Sequence, residues 1–161
     1  MKKEFVNKIF HDISDKYDLM NDIVSFRLHK LWKKKFVHHI NLNKNKENNI
    51  LDIGCGTGDI VSIISENKSG LNSKTKTYLL DPNINMIKQG IKKLKKKDIT
   101  WIASYGESLP FKNNKFDVVM MSFSLRNVEN INKTLKEINR VLKKDGQFIC
   151  LEFGKIENLA L

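Results

Sequence analysis

The residues whose types and spacing bear on chemistry are concentrated in Leu51-Asp52-Ile53-Gly54-Cys55-Gly56-Thr57-Gly58-Asp59. Gly54, Gly56 and Gly58 allow a sharp bend and let a ligand approach the main chain without meeting a Cβ. The spacing is G-x-G-x-G, not the G-x-G-x-x-G of dinucleotide sites. Acids flank the bend, Asp52 before it and Asp59 after it. A pyrophosphate seeks free amides at a helix N-terminus, and carboxylates repel it. The same carboxylates suit a cationic ligand with an α-ammonium group, such as S-adenosylmethionine (SAM). A ligand-free βα turn accounts for the glycines but not for the acids. Asp81 closes the next apolar run, where an acid accepts hydrogen bonds from both hydroxyls of a ribose. It is also placed to cap the helix opened by Pro82, and its two oxygens allow both roles.

Further along, Ser104-Tyr105-Gly106-Glu107-Ser108-Leu109-Pro110-Phe111 is placed to cover an adenine ring, and Ser122-Phe123-Ser124-Leu125-Arg126-Asn127 ends another apolar run. In an open α/β sheet the strand C-termini line the binding crevice. Arg126 is therefore open to two readings, a surface ion pair or a site residue.

The elements that must position these residues alternate. Apolar runs at NNILDIG, KTYLLD, DITWIAS, FDVVMMSFS and GQFICLEF read as strands. FDVVMMSFS has the unbroken apolar character of a parallel strand buried on both faces. Between them, Asp59–Glu66, the segment after Pro82, and Asn130–Leu142 carry helical periodicity. The second of these has a stripe of Ile84, Ile87, Ile91 and Leu94. The third turns Ile131, Leu135, Ile138, Val141 and Leu142 inward, with Gly146 following its end. Near the start, SFRLHKLWKKKFVHHI sets Phe26, Leu28, Leu31, Trp32, Phe36 and Val37 mostly on one side and lysines opposite. This alternation predicts an α/β fold, a doubly wound and mostly parallel sheet with helices on both faces. A helical segment over 1–47 precedes a nucleotide-binding unit over 48–161, within one structural domain.

The 161 residues suit a single core. A net charge of +11 raises the possibility of an anionic partner. Only Arg27, Arg126 and Arg140 among the basic residues are arginines, however, and asparagine is abundant, so compositional drift is the favoured reading and no nucleic acid is expected. Cys55 and Cys150 form no CxxC pair, which supports neither a metal site nor a disulfide framework and suits a reducing cytoplasm. No apolar run is long enough to span a bilayer, and no secretory leader is visible at the start.

Several segments together resemble the ubiquinone/menaquinone biosynthesis C-methyltransferase family, a branch of the class I SAM methyltransferases. They are FHDISDKYDLMNDIVSFRLHKLWKK, ILDIGCGTGD, ESLPFKNNKFDVV and SFSLRNVENINKTLKEINRVLKKDGQFICLEFGK. The resemblance implies a Rossmann-like sheet of order 3-2-1-4-5 with N-terminal helices, and SAM as methyl donor with no metal. It implies methylation of a ring carbon of a polyprenylated quinol, demethylmenaquinol to menaquinol being favoured. By position, Asp52, Gly54, Gly56, Thr57, Gly58, Asp81, Tyr105, Gly106 and Ser122 fall on SAM-contacting places. Tyr105 departs from the family pattern, where Asp or Asn is common. Arg126 matches a position implicated in substrate activation, and Tyr17 and His29 fall in the N-terminal signature as candidates for the base or for substrate contact. For His29, packing on a helix face near Trp32 is the favoured reading. The family's pattern runs several dozen residues beyond Leu151-Glu152-Phe153-Gly154-Lys155, so the expectation is a sheet without the C-terminal strand pair. A catalytically impaired SAM-binding remnant or a partner-dependent subunit is the alternative function, and a nucleic-acid methyltransferase ranks below it. A membrane-dissolved substrate also implies peripheral contact of the basic N-terminal helix with anionic lipid.

Overall fold

A computed structural model describes residues 28–43, 46–66, 75–94 and 98–154. In chain order the elements are α1 (Leu28–His38), β1 (Asn49–Ile53), α2 (Asp59–Glu66), β2 (Lys76–Asp81), α3 (Ile84–Lys93), β3 (Ile99–Ala103), β4 (Phe116–Ser122), a 3₁₀ turn (Leu125–Asn127), α4 (Ile131–Val141) and β5 (Leu142–Leu151). The strands form one sheet of order β3-β2-β1-β4-β5, and every pairing is parallel. The chain order runs outward from β1 on one side to β3, then crosses to β4 and β5 on the other. The reversal falls between β1 and β4, the switch point at which such sheets bind ligands.

Strand alternation sorts the core into two layers. Ile50, Leu79, Val118 and Met120 face one side, where Phe36 and Val37 of α1 and Ile60, Val61 and Ile64 of α2 cover them. Their neighbours Leu51, Leu80, Val119 and Met121 face the other, against Ile138 and Val141 of α4 and Leu109 of the β3–β4 connection. β4 is buried on both faces, as its unbroken apolar run requires. Among the described residues, no helix is long and apolar enough to cross a membrane.

Several expected details differ. The cap of α3 is Asn83, whose side chain accepts from the amides of Asn85 and Met86, while Asp81 bonds the Asn83 amide itself. In α3 the inward residues are Met86, Ile87 and Gly90, and Ile84 and Ile91 are about half exposed. The stripe slips because Trp101 of β3 occupies the space beneath Gly90. In α4 Thr134, Ile138 and Val141 face inward, whereas Ile131 and Leu135 stand out. Gly146 caps no helix. β5 starts at Leu142, directly after α4, and a register shift opposite Phe116 and Val118 bulges the strand at 143–146. A Cβ at Gly146 would lie 3.0 Å from the Phe116 carbonyl, so the bulge needs glycine. Along α1, Leu31 is 56% exposed and Lys33 turns inward, against the expectation that lysines form the solvent side. Phe26 and the rest of 1–27 lie outside the described residues.

Gly90 tests this packing. A Cβ there would sit 2.1 Å from the Trp101 ring. Alanine gains about 1 kcal/mol of helix propensity, but overpacking costs about 1–3 kcal/mol. Gly90→Ala should therefore lower the thermal midpoint, and a raised midpoint would show that the indole slides freely.

Candidate functional site

At the C-terminal end of the sheet the chain leaves β1 through three residues in the left-handed region, Gly54 (φ 68°), Gly56 (φ 55°) and Gly58 (φ 82°). Only glycine adopts this series without strain. Each of the three meets a different environment. At Gly54 a Cβ would collide with Ser124 at 2.4 Å, and at Gly58 with Leu94 at 2.6 Å. At Gly56 it would meet nothing within 4 Å, so the backbone there faces open space that a ligand can enter.

The bend is fastened to β2. The amides of Gly54 and Cys55 both donate to the Leu80 carbonyl, at 2.7 and 3.1 Å. The Gly56 amide donates to Asp81 Oδ2 at 2.8 Å, and the Asn83 amide to Asp81 Oδ1 at 2.8 Å. The predicted pair therefore meets, with the acid at the tip of β2 reaching the bend after β1. Each carboxylate oxygen keeps a second lone pair for a further donor. Burial raises the Asp81 pKa, against the lowering effect of the two backbone amides.

Asp52 is 1% exposed, and its Oδ2 has no hydrogen-bond partner among the described residues. Burial pushes its pKa from 3.8 up to about 8; Lys33 opposes the shift, and the charges of Asp81 and Asp59 add to it. Asp59 differs. The sequence suggested a carboxylate facing a ligand, yet Lys33 Nζ holds Asp59 Oδ2 at 2.9 Å and Lys93 Nζ holds Oδ1 at 2.6 Å. Thr57 Oγ1 also donates to Oδ1, at 3.2 Å. Burial works against Asp59 ionising, but the two lysines outweigh it and hold the carboxyl far below the usual range. Asp59 thus neutralises lysines and anchors α1, leaving Asp52 and Asp81 as the acids of the bend.

Gly106 fits closely between Ile53 and Thr134, whose methyl carbons would lie 3.3 and 3.1 Å from a Cβ there. This sets the Tyr105-Gly106 pair beside the end of β1, with Tyr105 partly exposed. A clamp that the sequence reading missed holds this connection. Arg140 Nη1 donates to the Phe111 carbonyl and Nη2 to the Leu109 carbonyl, at 2.7 and 3.0 Å, while Glu137 Oε2 accepts the Leu109 amide at 2.8 Å. Glu137 and Arg140 pair with each other one helical turn apart. Their i,i+3 spacing was the available signal.

Ser122, the last residue of β4, has a buried Oγ without a partner among the described residues. Ser124 Oγ donates to the Ile53 carbonyl at 2.9 Å and so ties the end of β4 to the bend. Arg126 follows on the 3₁₀ turn and pairs with Glu152. His29 is on α1, but its side chain is outside the described set, as is all of Tyr17. No group of three or more His, Cys, Asp or Glu with metal-site geometry occurs among the described residues.

Sheet order and a glycine bend at the switch point define the Rossmann-like fold of class I SAM methyltransferases. Solved structures bear out the fold. A putative SAM-dependent methyltransferase of Methanococcus maripaludis superposes with a TM-score of 0.69 at 16% identity, over 85% of this chain and 61% of that one. A SAM-dependent methyltransferase of Aquifex aeolicus gives 0.63 at 22% identity, over 83% and 70%. The chain belongs to the ubiE/COQ5 methyltransferase family, whose profile matches residues 1–161. Curated relatives named ubiquinone/menaquinone biosynthesis C-methyltransferase UbiE are 42% identical in both Rickettsia bellii and Rickettsia prowazekii, over 99% and 97% of this chain. The chain spans 65% and 63% of the length of those relatives.

The Asp52 carboxyl makes a pH prediction. Its folded pKa lies above its unfolded value, so the stability it contributes is fully present below pH 3.8 and is lost as pH rises through about 8. Asp52→Asn, which stays neutral, should unfold progressively later than wild type as pH climbs through that window, by up to about 1.4 kcal/mol per pH unit. Denaturant melts across the range check this, and a pH-independent difference would refute it.

Proposed function

We propose that this chain binds SAM over the Gly56 bend and supplies the SAM half of a methyltransferase acting on a ring carbon of a polyprenylated quinol, demethylmenaquinol to menaquinol being the favoured reaction. The observation that carries the reading is the 2.8 Å contact between the Gly56 amide and Asp81, beside backbone open to a ligand. The buried, unpartnered oxygens of Asp52 and Ser122 support the fit, since both are acceptors suited to the donors of such a ligand. UbiE relatives point to the quinol.

When bound, SAM supplies a methyl group on a cationic sulfur. Asp81 accepts the ribose hydroxyls with its remaining lone pairs. Asp52 faces the cationic amino-acid end, with Gly54, Gly56, Thr57 and Gly58 shaping the turn and Ser122 adding an acceptor. Tyr105 and Gly106 cover the adenine. Arg126 stabilises the ring oxygen as it loses its proton, and Tyr17 and His29 are the candidates for proton removal or quinol contact. The main task of these groups is alignment, which supplies roughly 7–11 kcal/mol in favourable cases. The quinol's lipid tail extends the reading to α1, where Lys34 and Lys35 are exposed and suited to anionic lipid, whereas Lys33 is engaged by Asp59.

Titration calorimetry with SAM and S-adenosylhomocysteine tests the site. Wild type should bind both, and Asp81→Ala should bind at least about tenfold more weakly, because hydrogen bonds to a charged acceptor are lost. Unchanged affinity would refute the ribose role. Neutralising Lys34 and Lys35 should reduce partitioning to phosphatidylglycerol vesicles, and equal partitioning would remove the lipid contact.

A further inference from the structure

Beside the bend, the residue that joins the end of β5 to the turn after β4 has no part in the chemistry described so far. Glu152 directly follows β5. Its Oε1 pairs with Arg126 Nη2 at 3.1 Å, and its Oε2 accepts the Arg126 backbone amide at 3.3 Å. One carboxylate therefore holds both the main chain and the side chain of the arginine. The Phe153 amide donates to Glu152 Oε1 at 2.9 Å and fixes the carboxylate in turn.

Aromatic rings support the guanidinium from below. Its carbon lies 4.9 Å from the Phe153 centroid and 5.9 Å from that of Phe123. The two rings stack at 4.9 Å, and Trp32 of α1 meets Phe153 edge-on at 5.6 Å. Phe123 holds a φ of 56°, costly for a side chain of its size, while its amide bonds the Leu151 carbonyl at 2.7 Å. Strain of this kind persists where neighbours over-determine it, and it gathers at functional sites. The pairing of Ser124 with Ile53 ties this wall to the SAM bend.

The Arg126 side chain is 47% exposed, and a pair so open to solvent adds little to stability. Its effect is orientation. A guanidinium is planar with five donors in a fixed fork. With one end nitrogen on Glu152 and the plane resting near aromatic rings, Nε and Nη1 have no hydrogen-bond partner among the described residues. We propose that Glu152 is a positioning residue for Arg126, holding the guanidinium against the Phe123–Phe153 wall so that its remaining donors meet the ring oxygen of a flat aromatic substrate. This rests on the role given to Arg126 under the proposed function.

The test is calorimetry on the full chain loaded with S-adenosylhomocysteine, using 2-hydroxy-1,4-naphthoquinone, a flat ring that is anionic at neutral pH. Arg126→Ala and Glu152→Gln should each weaken probe binding about tenfold, as the loss of a charged hydrogen bond does. The double variant should be no weaker than Arg126→Ala alone, because a residue acting through another adds nothing once that other is gone. Glu152→Asp, which keeps the charge, should recover part of the affinity. Equal affinity for S-adenosylhomocysteine across the series shows that the fold is intact. Wild-type probe binding by Glu152→Gln, or additive losses in the double variant, overturns the positioning role while leaving the proposed function standing. Wild-type binding by Arg126→Ala overturns the substrate reading and this proposal together. Failure to bind S-adenosylhomocysteine counts against the SAM site alone, and the same probe series on the unloaded chain then decides the role of Glu152.

Discussion

A single buried carboxylate joins the two strand ends on which the site depends. Asp81 holds the amide of Gly56 with one oxygen and that of Asn83 with the other. The first bond fixes the glycine bend, and the second fixes the residue that caps α3. Without that acid, the bend after β1 and the helix after β2 would lose their common reference point. The three left-handed glycines make the bend possible, and the Leu80 carbonyl supports it with two further bonds. Position and conformation thus have separate causes, one in side-chain acceptors and the other in the absence of side chains.

The charges around the bend are arranged asymmetrically. Asp59 sits between two lysines and stays ionised, whereas Asp52, two residues before the first glycine, is buried with an unsatisfied oxygen. Burying a polar atom without a partner costs free energy, a cost that Asp59 avoids through its two lysines. Lys33 is near enough to moderate Asp52 while bonding Asp59. The acid that appears free in the sequence is therefore the engaged one, and the acid within the strand is the one left wanting a partner.

Much of this was legible from the residues. The five strands, their parallel pairing and the meeting of Asp81 with the bend follow from apolar runs and glycine spacing, which are local properties. Some departures are local, such as the α3 cap at Asn83 in place of Asp81, but most depended on long-range packing. Helical periodicity cannot tell Ile84 from Ile87 as the inward residue; the Trp101 ring decides that from another strand. A glycine four residues past a helix reads as a cap, yet Gly146 serves a bulge whose reason is the Phe116 carbonyl on the neighbouring strand. Lys33 lies among lysines and reads as solvated, while its partner is 26 residues away in sequence. Glu152 and Arg126 carry no local signature of pairing, since β4 and β5 bring them together only after the sheet forms.

The manner in which α1 is attached has a mechanical corollary. Adjacent residues project about 100° apart around a helix. Trp32 meets the aromatic wall and Lys33 meets Asp59, so two neighbouring side chains hold the helix at separate points of the rim. Rolling about the helix axis would disturb both contacts, and would also shift Phe36 and Val37, which are buried on the same helix. The helix therefore has no low-cost rotation. A roll of α1 gives up the aromatic and the ionic contact together.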